Sequence, residues 1–173
     1  MAKGTSLGRL LDIIPIVIPI DLDNSQAGDQ FSLENCGGVD LVFITGDGAA
    51  GRDLTFTLKR HVDMADTSGT TIALTAKPYY YKRDGTTAVG VAAWTASTFT
   101  TTDGSAIVLD DAEGEDSRLI VVPIASADLG SGYSSLSVSA VVAGGSGAKL
   151  GACMAILRDL EVMRTPANLK SAI

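Results

Sequence analysis

The sequence predicts an all-β fold, an antiparallel β-sandwich of jelly-roll type, from three observations. The acidic residues divide into 16 Asp and 4 Glu, and Asp prefers turns whereas Glu, Lys and Gln are the usual cover of helices. Six Lys and two Gln are too few to coat the outer faces of a helical domain of 173 residues. The chain also carries about ten short β-like runs at close spacing, separated by Gly- and Asp-rich turns, which favours a sandwich over βαβ architecture.

In chain order, residues 1–12 read as a leader containing Gly4, Ser6 and Gly8. The run Ile13, Ile14, Pro15, Ile16, Val17, Ile18, Pro19, Ile20 is extended by its β-branched residues and kept out of a central strand by its prolines. It is expected to be an arm on another protein's surface, with an edge strand of its own sandwich as the alternative. Asp29–Leu33 and Val39–Thr45 read as strands, the second following a Cys36-Gly37-Gly38 turn. Leu54, Phe56 and Leu58 alternate with Thr55, Thr57 and Lys59, a half-buried strand by its period of two. Thr70–Thr75 and Lys77–Arg83 follow, separated or bent near Pro78. Val89–Thr95 and Ser97–Thr102 are expected to pair, and Ala106–Leu109, Arg118–Ile124 and Ser135–Val142 are strong strand candidates. Asp84-Gly85, Asp103-Gly104 and Gly144-Gly145-Ser146-Gly147 read as turns. Lys149–Leu160 fits both a helical stripe and alternation; Ala, Cys and Ile on the opposing positions favour a strand buried on both faces. Residues 1–20 are thus expected to be leader and arm, 21–163 one sandwich domain, and 164–173 a tail carrying Pro166.

A net charge of −7 argues against nucleic acid and anionic membrane, since phosphate binding needs a basic face. Hydrophobic residues make up 46% of the chain, which argues against disorder. Cys36 and Cys153 match no metal-ligand spacing and make no disulfide scaffold, so they are expected as free thiols of a reducing compartment. Lys3 and Arg9 before Leu10–Ile20 imitate a signal peptide. Asp12, Pro15 and Pro19 interrupt that run, no cleavage site follows it, and it is too short to span a bilayer.

Chemistry-bearing motifs fail at diagnostic points. Gly46-Asp-Gly48-Ala-Ala-Gly51 spells the dinucleotide fingerprint, but the strand-like Leu54–Leu58 follows where a helix must begin. Asp21, Asp23, Ser25 and Asp29 resemble a calcium loop, yet Gln26 and Ser32 occupy the Gly and Glu positions of an EF-hand; a calcium site of another type stays open. Asp110, Asp111, Glu113, Glu115 and Asp116 read as a solvated acidic loop rather than a metal site. His61 has no nucleophile elbow to serve and reads as structural. Ser146-Gly-Ala-Lys149 spells SxxK without its companion motifs. The sequence therefore assigns no catalytic residue, cofactor or metal ligand. Tyr79, Tyr80 and Tyr81 lie between Lys77 and Lys82-Arg83; on a strand Tyr79 and Tyr81 share one face and Tyr80 takes the other. Sheet packing, a protein interface and a carbohydrate platform are all open for this patch.

Several segments together resemble small virion proteins of tailed bacteriophages that decorate or cement the head. They are Gly8–Pro15, Asp29–Leu33, Val39–Thr45, Leu54–Leu58, Tyr79–Tyr81, Leu119–Pro123 and Lys149–Leu157. The resemblance implies a cofactor-free structural protein on the phage head surface, assembled in the bacterial cytoplasm. Its partners would be the major capsid protein and other copies of itself, as a homotrimer. The expected interface residues are Ile13 to Ile20 with Tyr79, Tyr81 and Arg83. The alternative is a carbohydrate-binding jelly-roll module of a phage fibre or adhesion protein, using the Tyr79–Arg83 patch.

Overall fold

The computed structural model describes residues 11–22, 25–49, 51–84, 93–99, 104–109, 116–144 and 147–161. Among these described residues twelve strands form two antiparallel sheets: β1 (Asp12–Asp21), β2 (Gln26–Ala27), β3 (Phe31–Ser32), β4 (Cys36–Thr45), β5 (Asp53–His61), β6 (Thr70–Thr71), β7 (Pro78–Asp84), β8 (Thr95–Thr98), β9 (Ala106–Leu109), β10 (Ser117–Ala125), β11 (Ser135–Ala143) and β12 (Leu150–Leu160). Sheet I runs β1-β12-β4-β10-β7-β8. Sheet II runs β2-β11-β5-β6, with β3 also on β11 and β9 also on β5. The pairs β1–β12, β2 and β3 with β11, β4–β10 and β5–β9 are nested about the middle of the chain. This is the jelly-roll winding, a long hairpin rolled upon itself. The β7–β8 hairpin extends sheet I beyond β10.

Period-two alternation builds the core. Val39, Leu41 and Phe43 of β4, Ile120, Val122 and Ile124 of β10, and Cys153, Ala155 and Leu157 of β12 point inward from sheet I. Leu54, Phe56 and Leu58 of β5 meet them from sheet II with Leu136, Val138 and Ala140 of β11. The Phe43 and Phe56 rings join the sheets at 4.6 Å between centroids, tilted by 46°. Each buried ring removes a large apolar area from water, the main source of cohesion between the layers.

The expected strand at 149–160 is β12, buried on alternate positions, and Leu54–Leu58 lies within β5 with its apolar face inward. Other expectations need correction. The segment Ile13–Ile20 is not a free arm: it is the edge strand β1, paired with β12, and Ile14, Ile16 and Val17 belong to the protein's own core. A register shift around Val17 turns two consecutive residues inward, and an edge strand tolerates Pro15 and Pro19 because one side of it has no ladder to complete. The sandwich thus begins at Asp12 rather than at residue 21. Cys36-Gly37-Gly38 is the start of β4, and the turn before it lies at Asn35, whose φ of 57° suits Asn. The strands expected at 29–33 and 70–75 contract to β3 and β6, while β2 gave no sequence signal. β8 begins at Thr95 and pairs with β7, while most of the partner strand expected at 89–95 lies outside the described residues. The leader 1–10, the tail 164–173, residues 89–92, 100–103, 110–115 and 145–146, Asp23 and Gly85 lie outside the described residues.

Candidate functional site: the outer face of sheet I

Residues facing away from the core of sheet I form cross-strand rows. One crosses all six strands: Ala96, Tyr80, Val121, Val42, Met154 and Pro15. A second joins Lys82, Leu119, Ile44 and Ala152; a third joins Pro123, Asp40, Ile156 and Ile13. Eleven of these fourteen side chains are aliphatic, Pro, Met or Ala, ten of them on the solvent side of the neighbouring strands β1, β12, β4 and β10, where an antiparallel sandwich ordinarily carries polar residues. Ile13, Ile44 and Leu150 are 43%, 45% and 56% exposed. At one end of the face Pro15, Pro19, Ile20, Ile44, Leu150 and Met154 line a hollow of about 350 Å³. Contiguous apolar surface of this kind marks a contact surface.

Of the expected interface residues, Ile13, Pro15, Ile18, Pro19 and Ile20 are exposed, whereas Ile14, Ile16 and Val17 are sealed in the core. Tyr79 and Tyr81 share a face, their centroids 6.2 Å apart, and pack half-buried on the core. Tyr79 lies 5.1 Å from Phe99, and the Arg118 guanidinium lies 5.3 Å from the Tyr81 ring. Tyr80 takes the outer face as expected. Arg83 is placed only by its backbone pairing with Arg118, its side chain lying outside the description. Val42, Ile44, Leu119, Val121, Leu150, Met154 and Ile156 were not among the expected interface residues. Their signal was present: β4, β10 and β12 are apolar on both parities, the mark of strands covered on two sides.

A second hollow of about 300 Å³, of mixed lining, lies on the outside of sheet II, bounded by Gln30, Lys59, His61, Thr67, Ser68 and Ser137 among others. His61 ends β5 and is buried under residues 62–69. Its Nδ1 lies 2.8 Å from the Asp66 carbonyl oxygen and its Nε2 lies 2.7 Å from Ser137 Oγ. A carbonyl only accepts, so Nδ1 carries a proton, and in the neutral ring Ser137 then donates to Nε2. The pairing has the polarity of a Ser–His nucleophile. Acyl transfer also needs amides converging on the developing oxyanion. Here the Ser68 and Gly69 amides go to Asp66 Oδ1 and the Gly28 amide to Val138 O. The pair is a clasp that holds residues 62–69 to the sheet. Hydrogen bonds from the Ser68 hydroxyl, then from the Gly69, Ser68 and Val62 amides, hold the Asp66 carboxyl well below its usual range.

The remaining motifs resolve locally. Gly46–Gly51 lies between β4 and β5, and no helix starts among its described residues. Lys149 of the SxxK run is buried, its Nζ donating to Gly46 O at 2.6 Å and Asp116 O at 3.3 Å. Asp21 of the calcium-like run accepts from the Lys149 amide at 3.0 Å. Cys36 and Cys153 are buried and form no disulfide with each other; Cys36 Sγ donates to Leu33 O at 3.0 Å, and burial pushes the Cys153 pKa up. Among the described residues no His, Cys, Asp and Glu side chains cluster as a metal site, and no helix is long and apolar enough to cross a membrane. No family model matches the chain, and no curated protein matches it.

Proposed function

We propose that this chain is a structural virion protein that decorates or cements a phage head, working by protein–protein contact and without a covalent step. One observation carries the reading: the outer face of sheet I is apolar across neighbouring strands and ends in an apolar hollow. Such a face is stabilised by burial against another protein surface. The resemblance of the sequence to head-decoration proteins supplies the class of partner, the major capsid protein, and an oligomeric state above one. Phage heads lacking the protein, incubated with it and pelleted, should carry it down and survive heating better than bare heads. Failure to co-sediment at micromolar concentration sinks the reading.

The carbohydrate reading keeps one supporting observation. Trp94 is 51% exposed, with Lys82 Nζ at 5.1 Å from its ring and Tyr80 exposed on the same hairpin. Tyr79 and Tyr81, on which that reading first rested, are taken up by packing. Binding on a glycan array that disappears in Trp94→Ala would favour it.

A further inference from the structure

We infer that the hollow on the outside of sheet II binds a small hydroxylated carboxylate, of the size of one sugar acid, with Lys59 as the charge that receives it. The hollow is a cleft fixed on three sides. Its floor is the outer face of β5 and β11, where Lys59 pairs with Ser137 and Ser139 stands two residues further on. One wall is Thr67 and Ser68, held to the floor by the His61 clasp. The other is residues 27–30, tied to β11 by the Gly28 amide on Val138 O at 2.8 Å. Gln30 Nε2 donates to Asp63 O at 2.6 Å and joins the segment of one wall to the segment of the other. A ligand entering such a cleft has little protein left to order.

The lining suits an anion. The chain carries 20 Asp and Glu, yet none of the described carboxylates lines the hollow, and Lys59 is its one cationic lining side chain beside the His61 imidazole. Among the described residues the half-buried Lys59 ammonium has no hydrogen-bond or ion-pair partner, and neither has the Ser139 or the Thr67 hydroxyl. Asp63 and Asp66 use their oxygens inside their own turn: Asp63 Oδ1 accepts from the Ala65 and Asp66 amides, and Asp66 from the Val62, Ser68 and Gly69 amides. A carboxylate answers a partly desolvated ammonium through a charge-assisted hydrogen bond. The hydroxyls answer the rest of the ligand. Beside a neutral imidazole Ser137 donates to His61 Nε2, which leaves its oxygen to accept from a ligand hydroxyl, while Ser139 and Thr67 both donate and accept. Ala27 and Gly28 add carbon surface for a C–H face. At about 300 Å³ the hollow is at the small end of ligand sites, which run from about 300 to 1,000 Å³, so it takes one ring and not a chain of them. Recognition is by charge and hydroxyls, with no Trp, Tyr or Phe in the lining, unlike the Trp94 patch beside β8. The hollow and the proposed contact face lie on opposite sheets, so the two are independent.

A heteronuclear NMR titration of the full chain tests this with D-glucuronate, D-glucose and inorganic phosphate as probes. Glucuronate should shift amides at 27–30, 59, 67–69 and 137–139 saturably at millimolar concentration. Glucose, which lacks the carboxylate, and phosphate, which lacks the ring, should each bind about tenfold more weakly, and Lys59→Met should weaken glucuronate binding by about tenfold. Glucose or phosphate binding as tightly as glucuronate overturns the inference. So do shifts centred on Trp94, an absence of saturable shifts, or full glucuronate affinity in Lys59→Met. Should that variant fail to fold, the salt dependence of the unaltered chain replaces it: glucuronate affinity should fall as sodium chloride rises, and salt-independent affinity overturns the inference. Head binding is a separate readout. A chain that takes up glucuronate and ignores heads keeps this site and loses the decoration reading, and one that binds heads without a saturable glucuronate shift does the reverse.

Discussion

Across the outside of sheet I a row reads Tyr80, Val121, Val42, Met154, Pro15; across the outside of sheet II rows read Ala106, Thr57, Ser139, Ala27 and Thr71, Lys59, Ser137. The same backbone architecture thus carries two unlike exteriors. Sheet II hydrates most of its outer face with hydroxyls, leaving Val108 and Val141 exposed beside Thr55, and folds residues 62–69 over its His61 end. Sheet I presents aliphatic rows with no described segment laid across them. Both inner faces are equally apolar, so the demands of the core do not explain the difference. Surplus burial capacity on one face is what a protein needs to assemble, and hydroxyl cover on the other is what limits assembly to that face.

The comparison can be broken or sharpened in four ways. The largest effect is expected at the seam that joins the two faces. Phe43→Ala removes a fully buried ring packed at a tilt against Phe56 and should lower unfolding free energy by about 3–5 kcal/mol, read from urea denaturation. One cooperative transition should persist. Two separated transitions would mean that the sheets, and hence their faces, are independent units.

Next comes the cover of sheet II. Gly69 has φ of 56°, and a Cβ there would sit 2.4 Å from His61 Cε1. Gly69→Ala should therefore cost about 1–3 kcal/mol, and it should speed amide exchange in residues 62–69 while sheet I stays protected. Uniform loss of protection would contradict a clasp confined to one sheet.

The third test concerns the buried cation beside the Leu150 end of sheet I. Burial lowers the Lys149 pKa below its ordinary 10.5, opposed by the Asp47 carboxylate. Between the lowered value and 10.5 the unfolded chain binds more protons than the folded one, so this group's contribution to stability rises with pH through that window. The unfolding free energy of the unaltered chain should gain on that of Lys149→Met as pH climbs from neutral towards 10.5. Parallel curves would show that Lys149 is not desolvated as described.

The smallest change in stability, and the sharpest contrast, should come from making sheet II resemble sheet I. Thr57→Val with Ser139→Val alters two half-buried, directly paired outer positions, so stability should move by less than about 1 kcal/mol. Solubility should nevertheless fall and larger assemblies appear in light scattering. Unchanged solubility would mean that hydroxyl cover on sheet II does not limit association.

Much of this contrast was legible in the chain. Leu54–Leu58 and Ser135–Val142 alternate and form sheet II; Ile13–Ile20, Val39–Thr45, Arg118–Ile124 and Lys149–Leu160 are apolar on both parities and all fall in sheet I. The candidate face is only partly legible in the sequence because the run richest in isoleucine, Ile13–Ile20, gives the strongest local signal. Three of its residues serve the core, while Val42, Ile44, Leu119, Val121 and Met154 look in a local window like any strand interior.

By itself the sequence determined the strand class, the inward parity of β5 and the two-sided apolarity of β12, because side-chain direction repeats every two residues and is a local property. Only the tertiary structure decided which strands became neighbours. The nested winding set β1 beside β12 and β4 beside β10, so that four separate apolar runs fused into one face, and it brought Ser137 within 2.7 Å of His61 across 76 residues. Register and adjacency belong to pairs of distant segments. They are selected by how well whole faces pack, a quantity that no local window of the chain contains.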